Sequence, residues 1–140
     1  MSLFVVDASV AVKWFVPEIH SNAAARLLDP DIVLCAPDLI GPELANALWK
    51  KVRRGEITEA EADEILQAFE ALPLETYASI SLLRGAVQLA VALDRSAYDS
   101  LYLALAVAND CPLITADRKF YSTIAPSSLA AHIRWVEDPL

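Results

Sequence analysis

Four carboxylates stand at positions from which they could act together on one substrate. Asp7 and Asp117 each come directly after a short apolar run, and Glu43 and Asp99 lie at the starts of two segments with helical spacing. Each acid alone has an ordinary explanation, because helix N-termini and turns favour carboxylates. In an open parallel sheet, however, the strand ends and the helix starts that follow them border one crevice. We therefore expect the four acids to converge there.

Four converging carboxylates need a cation, because like charges raise one another's pKa. Mg²⁺ or Mn²⁺ relieves this repulsion by taking hard oxygen ligands, and it keeps positions open for water and phosphate. Such a site activates a water for attack on phosphorus. Two polar side chains near the acids in sequence are candidates for a supporting role: Ser9 and Asn46. The chain has no Gly-rich phosphate loop and no G-x-S-x-G motif that would favour other chemistry.

Short apolar runs alternate along the chain with longer helical segments. We predict strands at residues 3–6, 32–35, 113–115 and 133–136, with a brief extended segment at 72–74. We predict helices at residues 8–15, 18–28, 82–93 and 97–107, one between Pro42 and Gly55, and one that begins with a capping box of Thr58 and Glu61. This alternation is typical of an α/β fold with a mostly parallel sheet. No linker or repeat divides the chain, so we predict one domain over residues 1–140.

The composition excludes several classes of protein. A disordered acidic segment would be poor in apolar residues, whereas 56% of these 140 residues are hydrophobic. The longest stretches without charge, such as residues 100–109, are about half the ~20 residues of a membrane span, and no signal peptide is visible. Cys35 and Cys111 lie in apolar runs and indicate buried, reduced thiols. We therefore predict a cytoplasmic protein that does not associate with membranes.

Charge is unevenly distributed. The net charge of −8 argues against a broad basic surface that grips nucleic acid. Seven acids and no base lie between residues 55 and 83, a pattern that predicts a solvated helix face. The candidate phosphate contacts are a basic group at the end of one predicted helix and a base next to Asp117: Lys50, Lys51, Arg53, Arg54 and Arg118.

Four motifs in order resemble the PIN-domain family, and in size and motif order the chain is similar to the VapC-type toxins of bacterial toxin–antitoxin pairs. The motifs are VVDASV (residues 5–10), PELANAL (42–48), YDSLYLALA (98–106) and LITADRKF (113–120). Each motif alone is modest evidence, but the four together span essentially the whole chain. The third motif carries Ser100 where the family usually has Ala after the Asp.

The resemblance implies a three-layer α/β/α PIN-like fold and a metal-dependent endoribonuclease that uses Mg²⁺ or Mn²⁺. It maps the acids of the family onto Asp7, Glu43, Asp99 and Asp117 and its supporting hydroxyl onto Thr115 or Ser9, and it makes RNA the substrate. We expect the three aspartates to bind the metal directly and Glu43 to act through water. It also implies a cognate antitoxin that silences the enzyme, and a homodimer. Exposed aromatic residues could form the apolar groove for the antitoxin, and the candidates are Trp14, Phe15 and Trp49.

Three alternatives were weighed against this interpretation. A haloacid-dehalogenase phosphatase also places an aspartate after its first strand, but it needs a second Asp where this chain has Ser9. A phospho-accepting receiver domain needs adjacent acids after the first strand and a lysine after the last one, and neither is present. The remaining alternative is a PIN-like protein-interaction module without turnover. An intact set of four acids argues against it, because a scaffold has no need to hold like charges together.

Overall fold

Five short strands form one sheet in the order β3-β2-β1-β4-β5, and every neighbouring pair is parallel. The computed structural model describes residues 2–140. The strands are β1 (Ser2–Val6), β2 (Ile32–Pro37), β3 (Glu75–Tyr77), β4 (Leu113–Thr115) and β5 (Ile133–Trp135). The prediction of a mostly parallel sheet is confirmed.

Seven helices connect these strands. They are α1 (Ala8–Ala11), α2 (Ser21–Ala25), α3 (Ile40–Arg53), α4 (Glu59–Glu70), α5 (Leu83–Leu93), α6 (Ala97–Ala108) and α7 (Arg118–Ile124). The connections from β1 to β2 to β3 run towards one edge of the sheet, and those from β3 to β4 to β5 run back towards the other edge. Because parallel crossovers are right-handed, helices cover both faces of the sheet. The three-layer α/β/α fold is thereby confirmed.

The order of the strands places a crevice between β1 and β4. These two strands are neighbours, yet the chain leaves them in opposite directions, so the connections after them diverge. Ligands of open α/β sheets bind at such a reversal, beyond the carboxyl ends of the strands. Asp7 follows β1 and Asp117 lies two residues after β4, so the fold sets both acids at this edge.

The hydrophobic core supports this edge from below. Phe4, Val5 and Val6 of β1 are buried, and β4 is buried along its whole length. On α6, all seven residues from 100 to 106 are buried, so this helix is covered on every side. The acids at the ends of β1 and β4 and at the start of α6 are therefore attached to the most enclosed elements of the molecule.

Local signals account for the bounds of α3 and α4. Gly55 adopts φ 74°, a left-handed conformation that suits glycine after a helix, and α3 ends just before it. The Thr58 hydroxyl accepts a hydrogen bond from Glu61 N, and the Glu61 carboxylate accepts one from Thr58 N, so the predicted capping box is present. Pro42 lies in the first turn of α3, two residues after its start, where a missing N–H leaves no helical bond unmade.

Three predicted elements differ from the structure. The helix predicted at residues 8–15 is the short α1 followed by a 3₁₀ turn (Val12–Trp14), and the one predicted at 18–28 is α2 followed by another (Arg26–Leu28). Tightening of the last turn into 3₁₀ geometry is common at helix ends. The extended segment predicted at 72–74 lies instead at β3, because Pro73 cannot donate to the ladder and pairing with β2 begins at Glu75.

The exposure of the acidic segment and the burial of the cysteines agree with the predictions from sequence. All seven acids between residues 55 and 83 are exposed, and both cysteines are buried free thiols. Within residues 2–140 no helix combines the length and the apolar character needed to cross a bilayer.

Candidate active site

Asp7 is a buried carboxylate whose two oxygens are both held by neutral donors. Ser9 Oγ donates to Oδ1 at 2.5 Å, and the backbone N–H of Val10 donates to the same oxygen at 3.3 Å. Thr115 Oγ1 donates to Oδ2 at 2.5 Å. Asp7 is thus the N-cap of α1, as its ordinary explanation requires, and it is also joined to the end of β4.

The enclosure of Asp7 changes its acidity. Burial is the main reason that the pKa of Asp7 rises from 3.8 to about 6, and the negative charge of Asp117 adds to this rise. The hydrogen bonds from Ser9, Thr115 and Val10 act in the opposite direction, because they stabilise the ionised form. A carboxylate of this kind gains most from a cation placed beside it.

Ser9 and Thr115 join the ends of β1 and β4. Besides its bond to Asp7, Ser9 Oγ accepts a hydrogen bond from the backbone N–H of Ala116 at 3.0 Å. Thr115 Oγ1 accepts one from the backbone N–H of Asp117 at 3.1 Å. The two hydroxyls that sequence analysis placed near the acids therefore fix the backbone on either side of the crevice.

Asp117 is the N-cap of α7. Its Oδ1 accepts a hydrogen bond from Phe120 N at 3.2 Å, while its Oδ2 accepts none from residues 2–140. One oxygen thus orients the side chain and the other is available to a ligand.

Glu43 lies in the first turn of α3 and is held by a buried tyrosine on α6. Tyr102 is only 2% exposed, and its hydroxyl donates to Glu43 Oε1 at 2.5 Å. Burial raises the pKa of Glu43, the charge of Asp99 adds to the effect, and the bond from Tyr102 opposes it. Burial and the neighbouring carboxylates raise the pKa of Tyr102, so its hydroxyl stays a donor.

Asp99 is half-buried in the first turn of α6, where its sequence spacing from Ser96 fits a capping box of which only half is formed. Its backbone N–H donates to Ser96 Oγ at 3.1 Å, but its carboxylate does not return a bond to Ser96 N. Instead Asp99 Oδ2 accepts a hydrogen bond from an Arg95 guanidinium nitrogen at 2.7 Å. The side chain of Asp99 is therefore directed by an ion pair.

The four acids share one electrostatic environment. The charge of Asp117 acts on Asp7, that of Asp99 acts on Glu43, and the hydroxyl of Tyr102 senses Asp7, Glu43 and Asp99. No three of these carboxylates form a ready-made cage for a cation within residues 2–140.

The chemistry of the donors nevertheless fits a hard divalent cation. Glu43 Oε2, Asp99 Oδ1 and Asp117 Oδ2 accept no hydrogen bond from the described residues. A cation held by a few such oxygens would complete its shell with water or phosphate, which is the usual state of Mg²⁺.

The remaining candidates fall into two groups, one close to the acids and one farther away. Asn46 is exposed one turn after Glu43 and lines the same open cavity, together with Leu39, Pro42 and Tyr98. Arg118 follows Asp117 directly and is exposed, and its guanidinium lies 3.8 Å from the centre of the Trp135 ring. Both side chains stand at the rim of the site.

The basic group at the end of α3 lies away from the acids. Ten residues separate Glu43 from Arg53, about 15 Å along the helix. Lys51 bonds Glu18 at 2.8 Å, and Arg53 lies over the ring of Trp49, while Lys50 and Arg54 are exposed.

The three aromatic residues considered as a groove do not form one cluster. Trp14 and Phe15 are half-buried, and the ring of Phe15 also meets that of Phe69. Trp49 is 52% exposed beside Arg53.

Sequence analysis missed two side chains of the site, Tyr102 and Arg95. Both are placed by helical spacing from Asp99, three residues after it and four residues before it. That spacing is the signal by which they could have been found. Arg95 lies in the connection between two helices, yet it is half-buried and paired.

Comparison with known proteins identifies the family of the chain. Residues 4–125 match the family model of the PIN domain. The chain is 38% identical over 130 residues to a protein named Ribonuclease VapC3 from Pyrobaculum aerophilum, which covers 87% of this chain and 98% of that protein.

Two solved structures have the same fold at low sequence identity. VapBC2 from Rickettsia felis, bound to a DNA fragment from its promoter, gives a TM-score of 0.68 at 14% identity, over 95% of this chain and 98% of that one. VapC20 from Mycobacterium tuberculosis, described as a sarcin-ricin loop cleaving toxin, gives 0.67 at 16% identity, over 85% and 93%. By its sequence, by its sheet order and by the relatives it matches along most of its length, this chain belongs to the PIN domain family and is VapC-like.

Proposed function

We propose that this protein is a metal-dependent endoribonuclease and the toxin of a toxin–antitoxin pair. The observation that carries the proposal is the buried Asp7, fixed by Ser9 and Thr115 at the point where the strand order reverses, with Asp117 beside it. The relative from Pyrobaculum aerophilum that is named a ribonuclease supports RNA as the substrate.

Asp7, Asp99 and Asp117 would hold the divalent cation, Mg²⁺ or Mn²⁺, and Glu43 would act through a bound water. When bound, the cation would supply positive charge at the phosphate and would lower the pKa of its bound water, so that hydroxide is available near neutral pH. The chain itself supplies orientation. Ser9 and Thr115 hold both oxygens of Asp7, and Tyr102 holds the carboxylate of Glu43.

Basic side chains would guide the RNA. Arg118 is the contact nearest to the acids, because it follows Asp117 directly and its guanidinium is held over the ring of Trp135. Asn46 would support a water or phosphate beside Glu43. Lys50, Arg53 and Arg54 would meet RNA farther from the site, whereas Lys51 is engaged by Glu18 and Glu56. Few contacts of this kind suit a net charge of −8, which disfavours tight general binding.

RNA cleavage by purified protein tests the proposal. We expect cleavage with Mn²⁺ or Mg²⁺, none with EDTA, and a loss of at least about a hundredfold in Asp7→Asn and Asp117→Asn. Asp94→Asn is the matched control, because it removes an exposed carboxylate from the loop before α6. RNA or protein binding without metal-dependent cleavage would instead support the interaction module without turnover.

A protein antitoxin is the proposed partner, and the protein would act in the cytoplasm. The structural match to VapBC2, whose name joins an antitoxin to its toxin, supports this partner. Co-purification of this chain with the product of a neighbouring small gene, and loss of RNA cleavage in the complex, would test it.

A homodimer is proposed from the apolar face of α5 and the turn before it. Ile80, Leu83, Val87 and Val91 follow one another at helical spacing and are 79%, 48%, 54% and 80% exposed. A contiguous exposed apolar stripe is typical of an interface. We expect a dimer in light scattering, and a monomer after Val87→Lys with Val91→Lys.

A further inference from the structure

Arg95 is a cation built into the acidic site. It lies in the short connection between α5 and α6 and pairs with Asp99, with 2.7 Å between a guanidinium nitrogen and Oδ2. Its guanidinium also lies 5.2 Å from the centre of the Phe120 ring, in the first turn of α7. Phe120 N donates a hydrogen bond to Asp117, which is the N-cap of α7. Arg95 therefore contacts both Asp99 and the helix that begins after Asp117.

This pair differs from an ordinary surface ion pair. The side chains of Arg95 and Asp99 are 21% and 31% exposed, so both are partly withdrawn from water. Arg95 Nε is buried and has no hydrogen-bond partner among residues 2–140. An unpaired buried donor is costly, so the guanidinium is held at Asp99 by charge rather than by a complete set of hydrogen bonds.

The other three acids are held differently. Asp7 is bonded by two hydroxyls and a backbone N–H, Glu43 by a hydroxyl, and Asp117 by a backbone N–H. Within the described part of the chain, Asp99 is the member of the set that forms an ion pair with a base. One positive charge therefore already lies beside Asp99, while the other oxygen of that carboxylate, Oδ1, stays open to a divalent cation.

We propose that Arg95 is an in-chain counter-ion that competes with the divalent cation for Asp99 and so sets the metal affinity of the site. In the metal-free protein Arg95 neutralises Asp99 and limits repulsion among the acids. When a divalent cation binds, Arg95 opposes it, because like charges repel across a partly dry site. The proposal rests on the proposed function, since it requires a cation at these acids.

Mn²⁺ binding measured by calorimetry without RNA tests this role. Arg95→Gln removes the charge, and Arg95→Lys keeps it. Arg84→Gln is the matched control, because it removes one exposed charge from α5. We expect Arg95→Gln to bind Mn²⁺ about tenfold more tightly, equivalent to about 1.4 kcal/mol, while the other two variants stay near the wild type.

Thermal unfolding in EDTA separates a counter-ion from a merely structural side chain. We expect Arg95→Gln to melt below Arg84→Gln without metal, because Asp99 loses its partner, although its Mn²⁺ affinity is higher. A merely structural role would lower both the melting temperature and the Mn²⁺ affinity. Unchanged or weaker Mn²⁺ binding in Arg95→Gln, or equally tightened binding in Arg95→Lys, would overturn the proposal.

Asp7→Asn distinguishes failure of this proposal from failure of the proposed function. If the wild type binds Mn²⁺ and Asp7→Asn does not, the metal site stands and the Arg95 variants decide the role of Arg95. If the wild type binds no Mn²⁺, or Asp7→Asn binds it equally well, the metal site is wrong and the role of Arg95 fails with it.

Discussion

Replacing Asp7 by asparagine measures what its buried carboxylate costs the metal-free protein. The pKa of Asp7 rises from 3.8 to about 6 on folding, mainly because the side chain is buried. This rise in pKa corresponds to a loss of about 3 kcal/mol in the free energy of unfolding once Asp7 is ionised. Because the folded pKa lies above the unfolded one, the loss is absent below about pH 4. It grows as the pH rises from about 4 to about 6, where only the folded state still holds the proton, and it is complete above about 6.

Urea unfolding in EDTA, followed by tryptophan fluorescence, gives the free energy of unfolding of the wild type and of Asp7→Asn at each pH. The difference between the two proteins isolates Asp7, because most other groups titrate alike in both. We expect this difference to shift in favour of the variant by about 3 kcal/mol between pH 4 and pH 8. Asp94→Asn controls for the loss of one negative charge from an exposed position.

Mn²⁺ is expected to reverse the order of stability, so that the wild type becomes more stable than Asp7→Asn. A ligand that binds only the folded state stabilises it according to its concentration and affinity, so the wild type gains stability above pH 6 while Asp7→Asn gains little. A difference between the two proteins that does not change with pH would refute the reasoning, because the carboxylate would then ionise as easily in the folded chain as in the unfolded one.

Three further substitutions test the site and its support. Tyr102→Phe removes the donor to Glu43, and we expect metal-dependent RNA cleavage to fall about tenfold with the fold intact by circular dichroism; full activity would contradict a positioning role. Ser100→Ala removes a buried hydroxyl without a partner among residues 2–140, and we expect urea unfolding to show a gain of about 1 kcal/mol rather than a loss. Gly55→Ala places a side chain at φ 74°, and we expect a loss of about 1 kcal/mol, with the unstrained Gly41→Ala as the control; equal effects in the two variants would contradict the strain.

Local patterns predicted most of the architecture, because they depend on neighbours in sequence. The alternation of short apolar runs with helical segments predicted the parallel sheet, and Gly55 and the capping box of Thr58 and Glu61 marked the helix ends. The prediction failed where competing local geometries are close in energy. Residues 12–14 close as a 3₁₀ turn where an α-helix was predicted. The start of β3 depended on Pro73 and on the pairing with β2.

Residue type and position at strand ends and helix starts are local properties, so the amino-acid sequence alone led to the prediction of Asp7, Glu43, Asp99 and Asp117. How each acid is held depends on contacts between distant parts of the chain. Thr115 reaches Asp7 over a separation of 108 residues, and Tyr102 reaches Glu43 over 59. Only the pairing of β1 with β4 and the approach of α3 to α6 create these bonds and the burial that raises the pKa of Asp7 and Glu43. The ion pair of Asp99 with Arg95 is closer in sequence, but nothing local decided between it and the capping box. That choice came from tertiary structure, because the first turn of α7 places Phe120 beneath the guanidinium.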